Sequence, residues 1–224
     1  MYGRFRSEVL KLKNTWILPV HTGSFLLSVS IGFLICKSGG NIRISTKREV
    51  FASIFFMIQV MVTLLNGHLA FTAEKRCGQF QNIFSSANVR RIWVNKLSVM
   101  VLLQILTAFF SLFIIGTASE ALFFLPAILT AAAVHILALT AVHMLILSLV
   151  GEIGNLLAGI SEVILILFST NLPMKNLWQY YPCIYGYKIN EFWGSVTTDQ
   201  WMTVTGAAAA SIVLAVFASQ YLKR

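Results

Sequence analysis

A few polar side chains set inside apolar runs are where this chain can do chemistry. Glu162 stands in GISEVILILF, and His135 and His143 share TAAAVHILALTAVHMLILSL. Gln59, Asn66 and His68 share IQVMVTLLNGHLAF, and Gln104 stands in VMVLLQILTAFF. An ionisable group at the centre of a membrane helix costs at least about 2.5 kcal/mol. Glu162 must therefore face other protein or a wet cavity. There it can contact a translocated substrate, hold a proton, or serve as a hydrogen-bonded packing residue. His135 and His143 are eight residues apart, which puts them about 80° apart around a helix. That is a poor arrangement for one shared metal, so hydrogen bonds between helices are the expected use. Gln59, Asn66, His68 and Gln104 are expected to do the same. If Glu162, Asn66, His68 and Gln59 line one cavity, the resulting pathway suits an amphiphilic substrate.

Motifs for self-contained catalysis are missing. The sequence has no GxxxxGK[ST] nucleotide loop, no HExxH, no GxSxG and no metal-spaced Cys/His cluster. No catalytic or metal-binding residue is expected, nor a cofactor in this chain. An intramembrane metalloenzyme would need paired acidic and histidine ligands, and adjacent glutamates are absent. Any ATP-driven function requires ATP and Mg held by a separate ATPase.

The elements that position these residues are membrane spans. Hydrophobic residues make up 57% of the 224 and charged ones 11%, against about 25% charged in a soluble domain. Runs of about 20 apolar residues cross a bilayer core, and only helices or closed barrels satisfy their backbone there. The expectation is an all-α polytopic membrane protein, one domain over 1–224. Its six spans are placed at about 16–36, 51–73, 98–118, 124–150, 155–170 and 201–221. The formal charge of +9 comes from basic residues flanking the spans, which speaks for orientation signals and against nucleic acid. Eleven Lys and Arg lie on the side of the termini and six on the other, so both termini are expected in the cytoplasm. Cys36 and Cys183 fall near the outer face, where a bridge can form.

Three connecting segments have their own character. Tyr2, Phe5, Val9, Leu12 and Trp16 form one stripe, which predicts an amphipathic interfacial helix over 1–15. The basic loop 74–97 reads EKRCGQFQNIFSSANVRRIWVNKL. In it Phe80, Ile83 and Phe84 fall at i, i+3 and i+4, one apolar knob on a short helix. Such a knob at the water's edge wants a protein groove. The segment 171–200 is dense in Pro, Trp and Tyr and predicts short interfacial or re-entrant helices. Ala207, Ser211, Ala215 and Ser219 recur at a spacing of four, and Gly154, Ala158 and Gly159 cluster; both predict close helix packing.

The order of EVLKLKNTW, the loop EKRCGQFQNIF…VRRIWVNKL and LPMKNLWQYYPCIYGY resembles ABC-2 type permeases. The small size resembles the permease subunits of lantibiotic self-immunity exporters. The resemblance implies a complex of an ATP-binding cassette ATPase dimer with two permease subunits, identical or homologous, in a bacterial plasma membrane. It implies removal of a cationic amphiphilic peptide antibiotic from the lipid. It places a coupling helix at 78–86 and the N-terminal helix at 2–15. Phe80, Ile83 and Phe84 would then take force from the ATPase, with Glu74 and Arg76 at the root of the loop. A lipid, a polysaccharide precursor or another drug is the alternative substrate. A non-transporting membrane scaffold or sensor is the alternative function.

Overall fold

The computed structural model describes residues 15–37, 44–76, 89–118, 125–169, 178–191 and 196–218. In chain order the helices are α1 (Ile17–Lys37), α2 (Ile44–Arg76), α3 (Val89–Ala118), α4 (Leu125–Leu149) and α5 (Glu152–Ser169). Two 3₁₀ turns follow, Trp178–Tyr180 and Pro182–Ile184, then a short α6 (Tyr185–Glu191) and finally α7 (Thr198–Ala218). No strand occurs among the described residues. Every helix except α6 is long and apolar enough to cross a membrane, which makes six candidate spans, each overlapping an expected one. The coupling helix expected at 78–86, with Phe80, Ile83 and Phe84, lies outside the described residues. So does the N-terminal helix, apart from Thr15.

α4 is the hub. It packs against α2, α3, α5, α6 and α7, because alanines ring it: Ala131, Ala132, Ala138 and Ala141 are all buried. Small side chains let several neighbours approach one axis without a gap. α7 makes the most extensive of these packings, with Ala208 and Ala215 buried. α1, α5 and α7 turn large apolar side chains outward, among them Leu34, Leu157, Phe168, Leu214 and Phe217. In a bilayer such a surface is solvated by lipid and costs nothing.

Successive helices run antiparallel, as their contacts show. Lys47 Nζ donates to the Cys36 carbonyl across α1–α2 at 3.5 Å. Glu74 and Lys96 meet across α2–α3. The α4–α5 reversal is the tightest. Val150 N–H and Gly151 N–H both donate to the Ile146 carbonyl, at 2.8 and 3.2 Å, and Gly151 takes φ +85°. That is a left-handed helix stop, which glycine adopts without a Cβ penalty.

α2 and α3 are longer than a membrane requires. Their 33 and 30 residues span about 50 and 45 Å, against a hydrocarbon core of about 30 Å. α3 starts with VRRIWVNK and α2 ends in EKR, and the Glu74–Lys96 contact sets these two ends side by side.

The segment 178–191 sinks into the bundle. Ile184, Tyr185 and Ile189 are fully buried, and so is Trp178 to within 1%. Trp178 packs edge-on to Tyr185 at 6.4 Å, and Tyr185 Oη donates to the Gln179 carbonyl at 2.8 Å. Helix α6 reaches Phe56 of α2, where a Cβ on Gly186 would come within 2.2 Å of the ring. The Pro- and aromatic-rich stretch was expected as interfacial or re-entrant helices; its described part forms short helices packed against α2, α4, α5 and α7. Cys183 goes down with it and is a free, buried thiol, while Cys36 is free and exposed; the two do not form a bridge.

Candidate functional site

The α4–α5 hairpin builds the most concentrated polar site. With Gly151 at the reversal, His143 lies eight residues before it and Gly159 eight after. Asn155 and Glu162 flank Gly159 at one turn on either side, so all three share the face of α5 that looks at His143. His143 Nδ1 contacts Asn155 Oδ1 at 2.6 Å, and His143 Nε2 contacts Glu162 Oε2 at 2.8 Å. Asn155 Nδ2 donates to the Leu64 carbonyl of α2 at 3.4 Å. Gly159 permits this approach, since a Cβ there would sit 3.0 Å from the Leu64 side chain. The result is a four-member chain through three helices. The side chain of His143 is 1% exposed and that of Glu162 13%. Asn155 was not among the expected site residues. The i, i+4, i+7 spacing of Asn155, Gly159 and Glu162 opposite His143 was the signal that pointed to it.

Cys183 comes to this site from the second 3₁₀ turn. Its thiol is free and buried. No group of three His, Cys, Asp or Glu side chains that could hold a metal occurs among the described residues.

The four expected pathway residues have four separate partner sets. Asn66 Nδ2 meets His21 Nε2 at 3.0 Å, and His21 Nδ1 meets Thr107 Oγ1 at 3.0 Å. This ties α1, α2 and α3 together. Because the Asn66 amide donates, His21 Nε2 accepts and Nδ1 carries the hydrogen to Thr107. Gln59 binds Gln104, whose Nε2 donates to the Gln59 carbonyl at 3.0 Å, to its Oε1 at 3.2 Å and to Thr63 Oγ1 at 2.9 Å. His68 lies at the α5 end, with Nδ1 3.3 Å from Glu152 Oε2. Lys75 Nζ is 3.9 Å from the other Glu152 oxygen. Leu64 points to α5 and Asn66, about 200° further round α2, points to α1. The body of α2 thus separates Asn66 from Glu162. A cavity of about 160 Å³ between α3 and α4 is lined by Ile105, Ala108, Phe109, Leu129, Ala132 and Ile136 and includes none of the four.

The His135 ring is fully buried. It packs edge-on to Phe56 of α2 at 5.1 Å, with the backbone of Phe56 and Pro182 beside it.

The amide cluster is a packing device. Hydrogen bonds between membrane helices contribute about 0.6 kcal/mol on average and about 1.7 at most. Gln104→Ala is therefore expected to cost no more than about 2 kcal/mol of stability. A larger drop in unfolding free energy would mean that Gln59, Thr63 and Gln104 do more than hold α2 to α3.

At the root of the basic loop, Lys96 Nζ donates to Glu74 Oε1 at 2.5 Å, with side chains 8% and 6% exposed. Glu74 is thus buried in an ion pair, and the backbone of Arg76 closes α2. Lys96 was not among the expected site residues.

Six apolar helices long enough to cross a membrane mark a multi-pass α-helical membrane protein. No family model matches this chain, and no curated protein matches it.

Proposed function

We propose that the chain is the membrane-spanning subunit of an ATP-driven ABC-2 type exporter. It removes an amphiphilic substrate, a lantibiotic or similar peptide antibiotic, from the plasma membrane. Both termini lie in the cytoplasm. ATP and Mg are bound by a separate ATP-binding cassette dimer, and a second permease subunit, identical or homologous, completes the pathway.

The observation that carries this reading is the Glu74–Lys96 pair. A coupling segment passes on force only if its base is stiff. α2 and α3, both longer than a membrane requires, lie side by side where segment 77–88 joins them. A buried ion pair cross-braces them there, in a chain with few charges to spare. Phe80, Ile83 and Phe84 stand in that segment. ATP-driven closure of the partner dimer would push on them and swing α2 and α3 as one lever.

The test is a gentle detergent pull-down of the tagged chain from its native cell, with co-purifying proteins identified by mass spectrometry. A near-stoichiometric P-loop ATPase is expected, and Phe80→Asp with Phe84→Asp should abolish its capture. A carboxylate forced into an apolar groove costs about 2–4 kcal/mol of binding, roughly 30- to 1,000-fold. Substrate-stimulated ATP hydrolysis should fall with it. If the chain comes out alone, or Phe84→Asp still supports stimulated hydrolysis, the exporter reading is wrong and a scaffold or sensor takes its place.

A further inference from the structure

We propose that the gap between His143 Nε2 and Glu162 Oε2 is an intramembrane proton-binding site, holding one proton that both groups share. The hydrogen-bond chain dictates the count. Asn155 Nδ2 is taken by the Leu64 carbonyl, so Asn155 Oδ1 is the atom facing His143 at 2.6 Å. An amide oxygen only accepts, so His143 Nδ1 carries a hydrogen. A neutral imidazole protonated at Nδ1 presents a lone pair at Nε2. A carboxylate presents another. Two lone pairs do not meet at 2.8 Å with nothing between them. One proton therefore sits there, on the carboxyl donating to Nε2 or on the imidazole donating to the carboxylate. Both forms leave the pair without net charge, which suits its burial among apolar helices.

Removing that proton has a structural consequence. The pair would carry one negative charge in an apolar surround, and its contact would turn repulsive. α4 and α5 would part at this level and admit water or a cationic group. The surroundings offer little compensation. α2 presents Leu64 and its carbonyl. The second 3₁₀ turn brings Cys183, and α4 itself brings His135; neither hydrogen-bonds to the pair. On α6, Tyr185 is engaged with the Gln179 carbonyl and Lys188 with Glu191, at 2.7 Å. No Lys or Arg pairs with Glu162 among the described residues. Parting of α4 and α5 at this level is thus linked to loss of that one proton. The inference stands on the hairpin geometry and does not need the exporter reading.

The test uses the full chain in lipid nanodiscs, with ¹⁵N-labelled histidine and ¹³C-carboxyl-labelled glutamate, followed by solid-state NMR across pH. The His143 ring and the Glu162 carboxyl are expected to change together, with one midpoint. In Glu162→Gln the His143 step should vanish, leaving the neutral Nδ1–H ring that accepts from the new amide. Separate midpoints for the two groups would overturn the site. So would a His143 ring spectrum unchanged by Glu162→Gln, or an Nδ1 found without its hydrogen. If Glu162→Gln does not fold, the joint titration of the unsubstituted chain decides alone.

Discussion

Lys96→Met is expected to destabilise the protein by about 3–5 kcal/mol, because it removes the cation paired with the buried Glu74 carboxylate. The 2.5 Å contact and the low exposure of both side chains put this pair in the class where breaking is costly. Replacing it is a different matter. Glu74→Leu with Lys96→Met substitutes packed apolar surface for two desolvated charges, which is often neutral or stabilising. The double variant should therefore recover most of the loss, and Glu74→Leu alone should resemble Lys96→Met. Unfolding free energies of the four chains in nanodiscs close the cycle. A single-variant loss below about 1 kcal/mol would place the pair with weak surface bridges. The same four chains bear on the exporter reading. If the pair serves only as a brace, the apolar double variant should keep ATPase coupling along with its stability.

The second large effect is at Gly186. An alanine methyl there would lie 2.2 and 2.3 Å from Cδ1 and Cε1 of Phe56. The ring has little room to yield. It is fully buried, with Phe55 edge-on at 5.4 Å and His135 edge-on at 5.1 Å. Overpacking of this kind costs about 1–3 kcal/mol, and Gly186→Leu should cost more and lift α6 off α2. Phe56→Ala opens the space again. Gly186→Ala should therefore cost far less in that background, a coupling of about 1–3 kcal/mol. Cys183 reports the movement independently. Its thiol is free and buried, whereas that of Cys36 is free and exposed. Maleimide should label exposed Cys36 quickly and Cys183 very slowly. Gly186→Leu should speed labelling of Cys183 without changing Cys36. Equal rates at Cys183 in both chains would show that Gly186 does not hold the segment down.

Much of the scaffold was legible from residue order. A bilayer requires about 20 apolar residues per crossing and full internal satisfaction of the backbone, so runs such as 98–118 and 201–221 announce helices unaided. The stop between the fourth and fifth spans is also local, since GEIG places a glycine where the chain must reverse. That Glu162 must face protein was fixed by the cost of exposing it to lipid.

Its partner was another matter. Helices such as α4 are apolar around their whole circumference, so periodicity carries no stripe from which to read rotation. Rotation is set by non-local fits: Gly159 under Leu64, alanines around α4, and one polar side chain meeting another. Those fits gave both Glu162 and Asn155 to His143, Asn66 to His21, Gln59 to Gln104 and His68 to Glu152. They also turned Glu74 inward to Lys96. The Pro- and aromatic-rich segment shows the same division. Its composition marked it as broken helix near the membrane. Whether it lay on the surface or sank between the spans depended on Phe56 leaving room for Gly186, a contact between residues 130 positions apart that only the folded chain brings together.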